Sequence, residues 1–107
     1  MISAQFIFIQ SRYDEDFTKL DDDIEAYAQT LDGFLGADRW DSRDGTKKSS
    51  TYYWRDEESL KVFSQYPSHL QAKKEYKNWY DGYQIIISQV IRSYGDGQIP
   101  HITQNLK

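Results

Sequence analysis

The chain has 107 residues, which is enough for one domain and too few for two. Thirteen basic residues against seventeen acidic ones leave a formal charge of −4, so a nucleic-acid partner is not expected, because phosphate binding needs a basic face. The chain has no cysteine, which excludes thiol nucleophiles, disulfides and thiolate metal sites and fits a cytoplasmic protein.

The first predicted elements are a strand and an amphipathic helix. No basic region followed by a long apolar run precedes them, so neither a signal peptide nor a membrane-spanning segment is predicted. Residues 6–9 are a continuous apolar run, which predicts a strand buried on both faces. Apolar residues then recur at spacings of three and four from Phe17 to Leu31, which predicts one apolar helix face. Gly33 is predicted to follow that helix in the left-handed conformation.

The middle of the chain predicts a hairpin and a broken helical region. Residues 34–41 and 49–54 are predicted strands on either side of an Asp-Gly turn. Asp56 is predicted to cap the next helix, and Pro67 is predicted to interrupt it. A further helix is predicted over residues 68–80. Its better-buried side is predicted to carry Leu70, Tyr76, Trp79 and Tyr80.

The last strand is predicted over residues 83–94, after an Asp81-Gly82 turn. Residues 97–107 are predicted to be an irregular tail, so one domain spans residues 1–107 with its core at about 4–96. The order β-α-β-β-α-β predicts an α+β, ferredoxin-like fold, in which helices cover one face of a four-stranded antiparallel sheet.

Apolar residues on both faces of the sheet predict a homodimer. Ile85, Ile87 and Ile91 are predicted on one face of the last strand, and Ile86, Val90 and Tyr94 on the other. Helices can cover only one face, and the other leaves roughly 400 Å² of flat sheet in water. At about 25 cal/mol per Å², leaving this face exposed loses on the order of 10 kcal/mol of the free energy that its burial would contribute. A second copy is the simplest cover, and the tail is an alternative that could cover the face only in part.

Five segments stand out in order along the chain. They are Gly33-Phe34-Leu35-Gly36, then Tyr52-Tyr53-Trp54 with residues 55–60, His69-Leu70-Gln71-Ala72, Trp79-Tyr80, and the isoleucine-rich strand. Together they resemble the antibiotic-biosynthesis-monooxygenase family of dimeric α/β barrels over about residues 4–96. The resemblance implies that two protomer sheets pack into a barrel and that each protomer has a pocket between sheet and helices. Activities in the family include cofactor-free oxygenation of polycyclic phenols or quinols and haem degradation.

The haem-degrading branch is similar, but three of its positions differ here. The resemblance places Gln10, Phe63 and Lys73 where that branch has an Asn, a Trp and the iron-binding His. His69, one helical turn before Lys73, is the remaining candidate haem ligand. The resemblance therefore implies a reaction without a cofactor, with haem as the alternative.

His69 is the one histidine within the predicted fold and the candidate catalytic base. The alternative is a structural histidine that packs against an aromatic ring and donates to a carbonyl. Candidate pocket-lining residues are Trp54, Phe63, Tyr76, Trp79 and Tyr80, each with a place in the core as the alternative. No metal site is predicted, because the carboxylate–histidine spacings typical of such sites are absent.

Three further residues carry weaker expectations. His101, in the tail, is predicted to be exposed. Arg39 and Arg92 are predicted to lie within strands, where they could meet an anionic substrate, although a cross-strand ion pair is expected.

Two functions are compatible with these residues, and a divergent haem-degrading monooxygenase is a further alternative. The first is an oxygenase that oxidises a small aromatic substrate, with a base such as His69 and a dry aromatic cavity. The second is a non-catalytic dimer that binds haem or a small aromatic ligand. Of these two, only the first predicts repeated turnover.

Overall fold

The computed structural model describes residues 1–10 and 14–104, apart from the side chain of Ser68. The elements are β1 (Ile2–Gln10), α1 (Glu15–Gln29), β2 (Phe34–Asp41), β3 (Lys48–Trp54), α2 (Glu57–Ser64), α3 (Pro67–Lys74), a 3₁₀ turn (Tyr76–Asn78) and β4 (Tyr80–Gln89). The strands form one antiparallel sheet in the order β2-β3-β1-β4. The predicted α+β, ferredoxin-like fold is thus confirmed. No helix in the described ranges has the length and apolar character needed to cross a membrane.

The core lies where the start of β1 meets the end of β3. Ile2 pairs with Trp54, and Ala28 of α1 and Phe63 of α2 pack onto them from the helix side. These four residues are buried, and Trp54 has no exposed surface. A side-chain cap begins each of these two helices, and the one at Asp56 was predicted. Asp14 accepts from the Phe17 N–H at 2.8 Å, and Asp56 accepts from the Ser59 N–H at 2.9 Å.

Gly33 is needed for space, not for a left-handed conformation as predicted. In the described residues, positive φ occurs at Gly36, Gly45 and Gly97. A Cβ added to Gly33 would lie 1.9 Å from the Ser59 Oγ. The loop after α1 therefore lies directly against the first turn of α2, and the Gly33 carbonyl accepts from the Arg55 N–H at 2.8 Å.

Gly33→Ala is expected to destabilise the fold by about 1–3 kcal/mol, because the added methyl group overlaps Ser59 in a buried contact. Gly95→Ala is the control, since a Cβ there meets nothing within 4 Å and the cost should stay within about 0.5 kcal/mol. Urea unfolding of both variants measures the difference. Equal midpoints for the two variants would contradict the close packing of these elements.

The second half of the chain corrects three predicted boundaries. The helix predicted over residues 68–80 ends at Lys74, and Tyr80 already belongs to β4. Gln10 pairs with Tyr80 and Ile9 with Gly82, so Asp81 is the extra residue of a bulge, not part of a turn. The strand ends at Gln89, which pairs with Ile2, instead of at Tyr94.

Two exposures also differ from prediction. Leu70 is half-exposed, and Ile9 is 39% exposed, so β1 is not buried on both faces of the single chain. Arg92 lies after β4 and not within a strand.

The tail folds back over the open face of the sheet, on the β2–β3 side. A Cβ on Gly36 would lie 2.7 Å from Ile102, so glycine leaves the space that Ile102 fills. His101, which was predicted to be exposed, bonds through Nε2 to the Asp38 carboxylate, and Tyr53 donates to the same carboxylate at 3.2 Å. The tail thus covers part of the open face. Residues 105–107 of the predicted tail lie outside the described residues.

Candidate functional site

A cavity of about 760 Å³ lies between the sheet and the helices. Pockets of this size hold small organic molecules. Its wall carries the aromatic side chains Phe6, Phe8, Phe17, Tyr52, Phe63, Tyr76, Tyr80 and Tyr83. The aromatic excess of the sequence therefore supplies a cavity wall as well as the core.

Strand alternation places most of this wall. Phe6 and Phe8 project from β1 toward the helices, and their partners Ile85 and Tyr83 on β4 lie on the same face. The rings of Phe8 and Tyr80 are 4.9 Å apart, and those of Phe6 and Tyr80 are 5.3 Å apart. These contacts fix the orientation of the rings that a bound molecule would meet.

The cavity brings together five of the six residues that the sequence predicted as catalytic or pocket-lining. They are Trp54, Phe63, His69, Tyr76 and Tyr80. The fully buried Trp54 lies where the cavity meets the core, and Phe63 packs on it with ring centroids 4.9 Å apart.

Trp79 is not on the cavity wall, contrary to the prediction. Its side chain is 3% exposed, and its Nε1 donates to the Asp14 Oδ1 at 3.0 Å. Its ring also packs against Phe17 at 5.6 Å. Because Asp14 caps α1, this indole ties the start of β4 to the first turn of that helix.

His69 is the third residue of α3, and its ring lies 4.9 Å from that of Phe63. The Nδ1 atom is buried without a hydrogen-bond partner in the described part of the chain. Burial lowers the pKa of His69 below 6.5, the ammonium group of Lys73 lowers it further, and contact with the main chain of Ser64 opposes both effects. The imidazole is therefore neutral at pH 7 and can accept a proton.

One corner of the wall is polar, and its residues were not predicted to lie together. Arg39 of β2 donates through Nη1 to the Glu25 carboxylate and through Nη2 to the Tyr52 hydroxyl, both at 3.3 Å. The predicted cross-strand ion pair of Arg39 is thus replaced by a pair with α1. Asp21, also of α1, completes the corner, and burial raises the pKa of Asp21 while Arg39 opposes that rise. The available signal was strand alternation, which puts Tyr52 on the same face as Trp54.

The three residues that the resemblance set against the haem-degrading branch all lie on the cavity wall. They are Gln10, Phe63 and Lys73. Phe63 has no polar group, and the Lys73 ammonium would have to lose its proton to bind iron. No group of three or more His, Asp or Glu residues in the described ranges could hold a metal ion.

Comparison with known proteins gives one family. A family model described as monooxygenase af470-like matches residues 10–87, which is most of the chain. The sequence has no significant match among curated proteins.

Several solved structures have the same fold. Rv0793 from Mycobacterium tuberculosis superposes with a TM-score of 0.71 at 15% identity, over 88% of this chain and 98% of that one. SnoaB, a cofactor-independent oxygenase from Streptomyces nogalater, superposes with a TM-score of 0.69 at 12% identity, over 86% of this chain and 94% of that one. A candidate antibiotic biosynthesis monooxygenase from Deinococcus radiodurans superposes with a TM-score of 0.66 at 16% identity, over 89% of this chain and 97% of that one. At these identities the likeness shows the fold alone.

Proposed function

The chain belongs to the monooxygenase af470-like family, and from this premise we propose that it oxidises a small phenol- or quinol-like aromatic substrate without a cofactor. The observation that carries the proposal is His69, whose neutral ring with an unpartnered, buried Nδ1 lies on the wall of an aromatic cavity. The resemblance to antibiotic-biosynthesis monooxygenases and the cofactor-independent oxygenase of the same fold support the same class of reaction.

The first step is removal of a proton from the bound substrate by His69. The lowered pKa keeps the imidazole in its neutral, proton-accepting form at pH 7, and the aromatic wall keeps water away from the deprotonated substrate. Trp54, Phe63, Tyr76 and Tyr80 are proposed to hold the flat ring system beside it.

The second step uses oxygen as the only oxidant. The deprotonated, electron-rich ring gives an electron to O₂, and the two radicals combine to form a carbon–oxygen bond. Cleavage of the O–O bond then leaves one oxygen atom in the product as a carbonyl and releases the other as water. A substrate that changes a CH₂ group into C=O supplies all four electrons, so the reaction needs no external reductant.

We also propose that the chain works as a homodimer, with a second copy on the part of the open face that the tail leaves bare. Ile86 lies there, opposite Gln5 in the register, and it is 40% exposed. Such apolar surface on a sheet face is typical of an interface.

Ile86→Glu is expected to give monomers at concentrations where the unmodified chain is dimeric, because a charge on this face would be buried unpaired. Sedimentation velocity over a concentration series measures the change. Leu70→Glu is the control, since Leu70 is half-exposed on α3, away from the open face. A dimer unaffected by Ile86→Glu would place the interface elsewhere.

Haem binding, with His69 as the candidate ligand, stays a prediction of the resemblance. Titration with haem tests it directly. A saturating Soret shift at one haem per chain, lost in His69→Ala, would favour a haem protein over the proposed oxygenase. An unchanged spectrum is expected for the reaction proposed above.

The experiment that tests the proposed function is oxygen uptake by the purified protein with anthrone. Anthrone is a suitable probe because its enol form is a phenol and its CH₂ group can become a carbonyl. Uptake that follows protein concentration and saturates with anthrone is the expected result. Binding without turnover would favour a non-catalytic protein that holds a small aromatic ligand.

A further inference from the structure

We infer that Tyr52 and Arg39 form the site that binds the substrate's oxygen, so that the cavity selects a phenol, or its keto form, over a plain aromatic hydrocarbon. The inference deepens the proposed function and rests on it. It assigns the polar corner a role in recognition and leaves the chemistry of proton removal to His69.

The hydrogen-bond arrangement at Tyr52 carries this inference. The Tyr52 hydroxyl oxygen accepts from Arg39 at 3.3 Å, and within the described residues its own hydrogen has no acceptor. A phenol hydroxyl that already accepts one bond has a proton to donate. Tyr52 lines the cavity, so an oxygen atom of a bound molecule can take this proton's bond.

The protonation state of Tyr52 suits a donor. Burial raises the pKa of Tyr52 to about 12, Arg39 opposes that rise, and Glu25 and Asp21 add to it. The hydroxyl therefore stays protonated at neutral pH.

Arg39 adds positive charge to the same corner. Its pair with Glu25 is at a half-exposed position and is therefore weak. A guanidinium has more N–H donors than its bonds to Glu25 and Tyr52 use, so donors remain for a substrate oxygen. Glu25 and Asp21 are the acidic groups that face the Arg39 guanidinium. Together they disfavour a substrate that carries a full negative charge before the reaction. A neutral hydroxyl or carbonyl oxygen fits better.

The Phe63 ring lies close to both the polar corner and the base. Its centroid is 5.6 Å from that of Tyr52 and 4.9 Å from that of His69, and all three residues line the cavity. An aromatic substrate packed against Phe63 can place its oxygen near Tyr52 while the group that loses a proton faces His69. The electron pair left by that proton then moves through the ring to the oxygen, where Tyr52 and Arg39 stabilise the charge.

Binding of 2-naphthol and of naphthalene, measured under nitrogen by the change in tryptophan fluorescence, tests the inference without turnover. The two probes differ only by the hydroxyl group. The unmodified protein should prefer 2-naphthol, and Tyr52→Phe and Arg39→Gln should each reduce that preference by about 10-fold while naphthalene binding stays unchanged. Tyr27→Phe is the matched control, because Tyr27 stacks on Tyr66 outside the cavity wall.

Two results would overturn the inference. One is an unchanged preference in both variants. The other is an equal loss of 2-naphthol and naphthalene binding, which would mean that Tyr52 and Arg39 only shape the cavity. A preference that depends on both residues, in a protein that takes up no oxygen with anthrone, would support the binding site and reject the proposed oxygenation.

Discussion

His69→Ala is expected to lower kcat by about 10²- to 10⁴-fold, the range for loss of a positioned general base. Substrate binding should change much less, because the aromatic wall and the polar corner remain. Stopped-flow or steady-state oxygen uptake with anthrone gives kcat, and equilibrium fluorescence gives binding. A variant that keeps full kcat would exclude His69 as the base.

The pH dependence of the unmodified protein gives a second test of His69. Since burial and Lys73 lower the pKa of His69 below 6.5, the acidic limb of the kcat profile is expected below pH 6.5. The unfolded chain binds this proton more readily than the folded chain, so His69 also makes stability fall as the pH drops below 6.5. Both effects should disappear in His69→Gln.

Trp54→Ala is expected to destabilise the fold by about 3–5 kcal/mol, the range for removing a large aromatic side chain from a core. Trp54 has no exposed surface and packs against Phe34 at 5.2 Å and Phe63 at 4.9 Å. Urea unfolding at fixed protein concentration measures the loss, since self-association would otherwise shift the midpoint.

Trp40→Ala is the matched control for Trp54→Ala. Trp40 is the same residue type on the neighbouring strand, but it is 68% exposed, so its replacement should cost less than about 1 kcal/mol. Similar losses for the two variants would contradict the position of the core at the end of β3.

Local signals predicted those parts of the fold that depend on neighbouring residues. Asp56 caps α2 through the Ser59 N–H, and Pro67 starts a new helix at its first position. The strand bounds of β2 followed from composition and a turn signal, and the structure has them at the predicted residues. These features need no knowledge of distant contacts.

The wrong predictions concern residues whose secondary structure or exposure depends on a partner far away in the chain. Tyr80 has a helical spacing to Tyr76, but its pairing with Gln10 makes it a strand residue. His101 was predicted to be exposed because it lies in the tail, but its bond to Asp38 holds it on the sheet. In both cases the partner is more than sixty residues away in the chain, so the pattern of neighbouring residues does not indicate it.

The candidate site likewise contains residues that the sequence predicted and contacts that it did not. His69 and the aromatic residues stood out by residue type, and the cavity holds all but Trp79. Arg39 was predicted to meet an anionic substrate or a cross-strand ion partner, but its bonds to Tyr52 and to Glu25 of α1 were not predicted, because they depend on how β2, β3 and α1 pack together. Trp79 was misplaced because its spacing fitted the helix that the structure ends at Lys74.

The most direct test of the proposed reaction is oxidation of anthrone under ¹⁸O₂ by protein freed of metals, flavin and haem. The expected products are anthraquinone with one ¹⁸O atom and water with the other, at a rate that falls by about 10²-fold or more in His69→Ala. Anthraquinone formed no faster than in buffer alone, or with the same rate in both proteins, would contradict the proposed reaction.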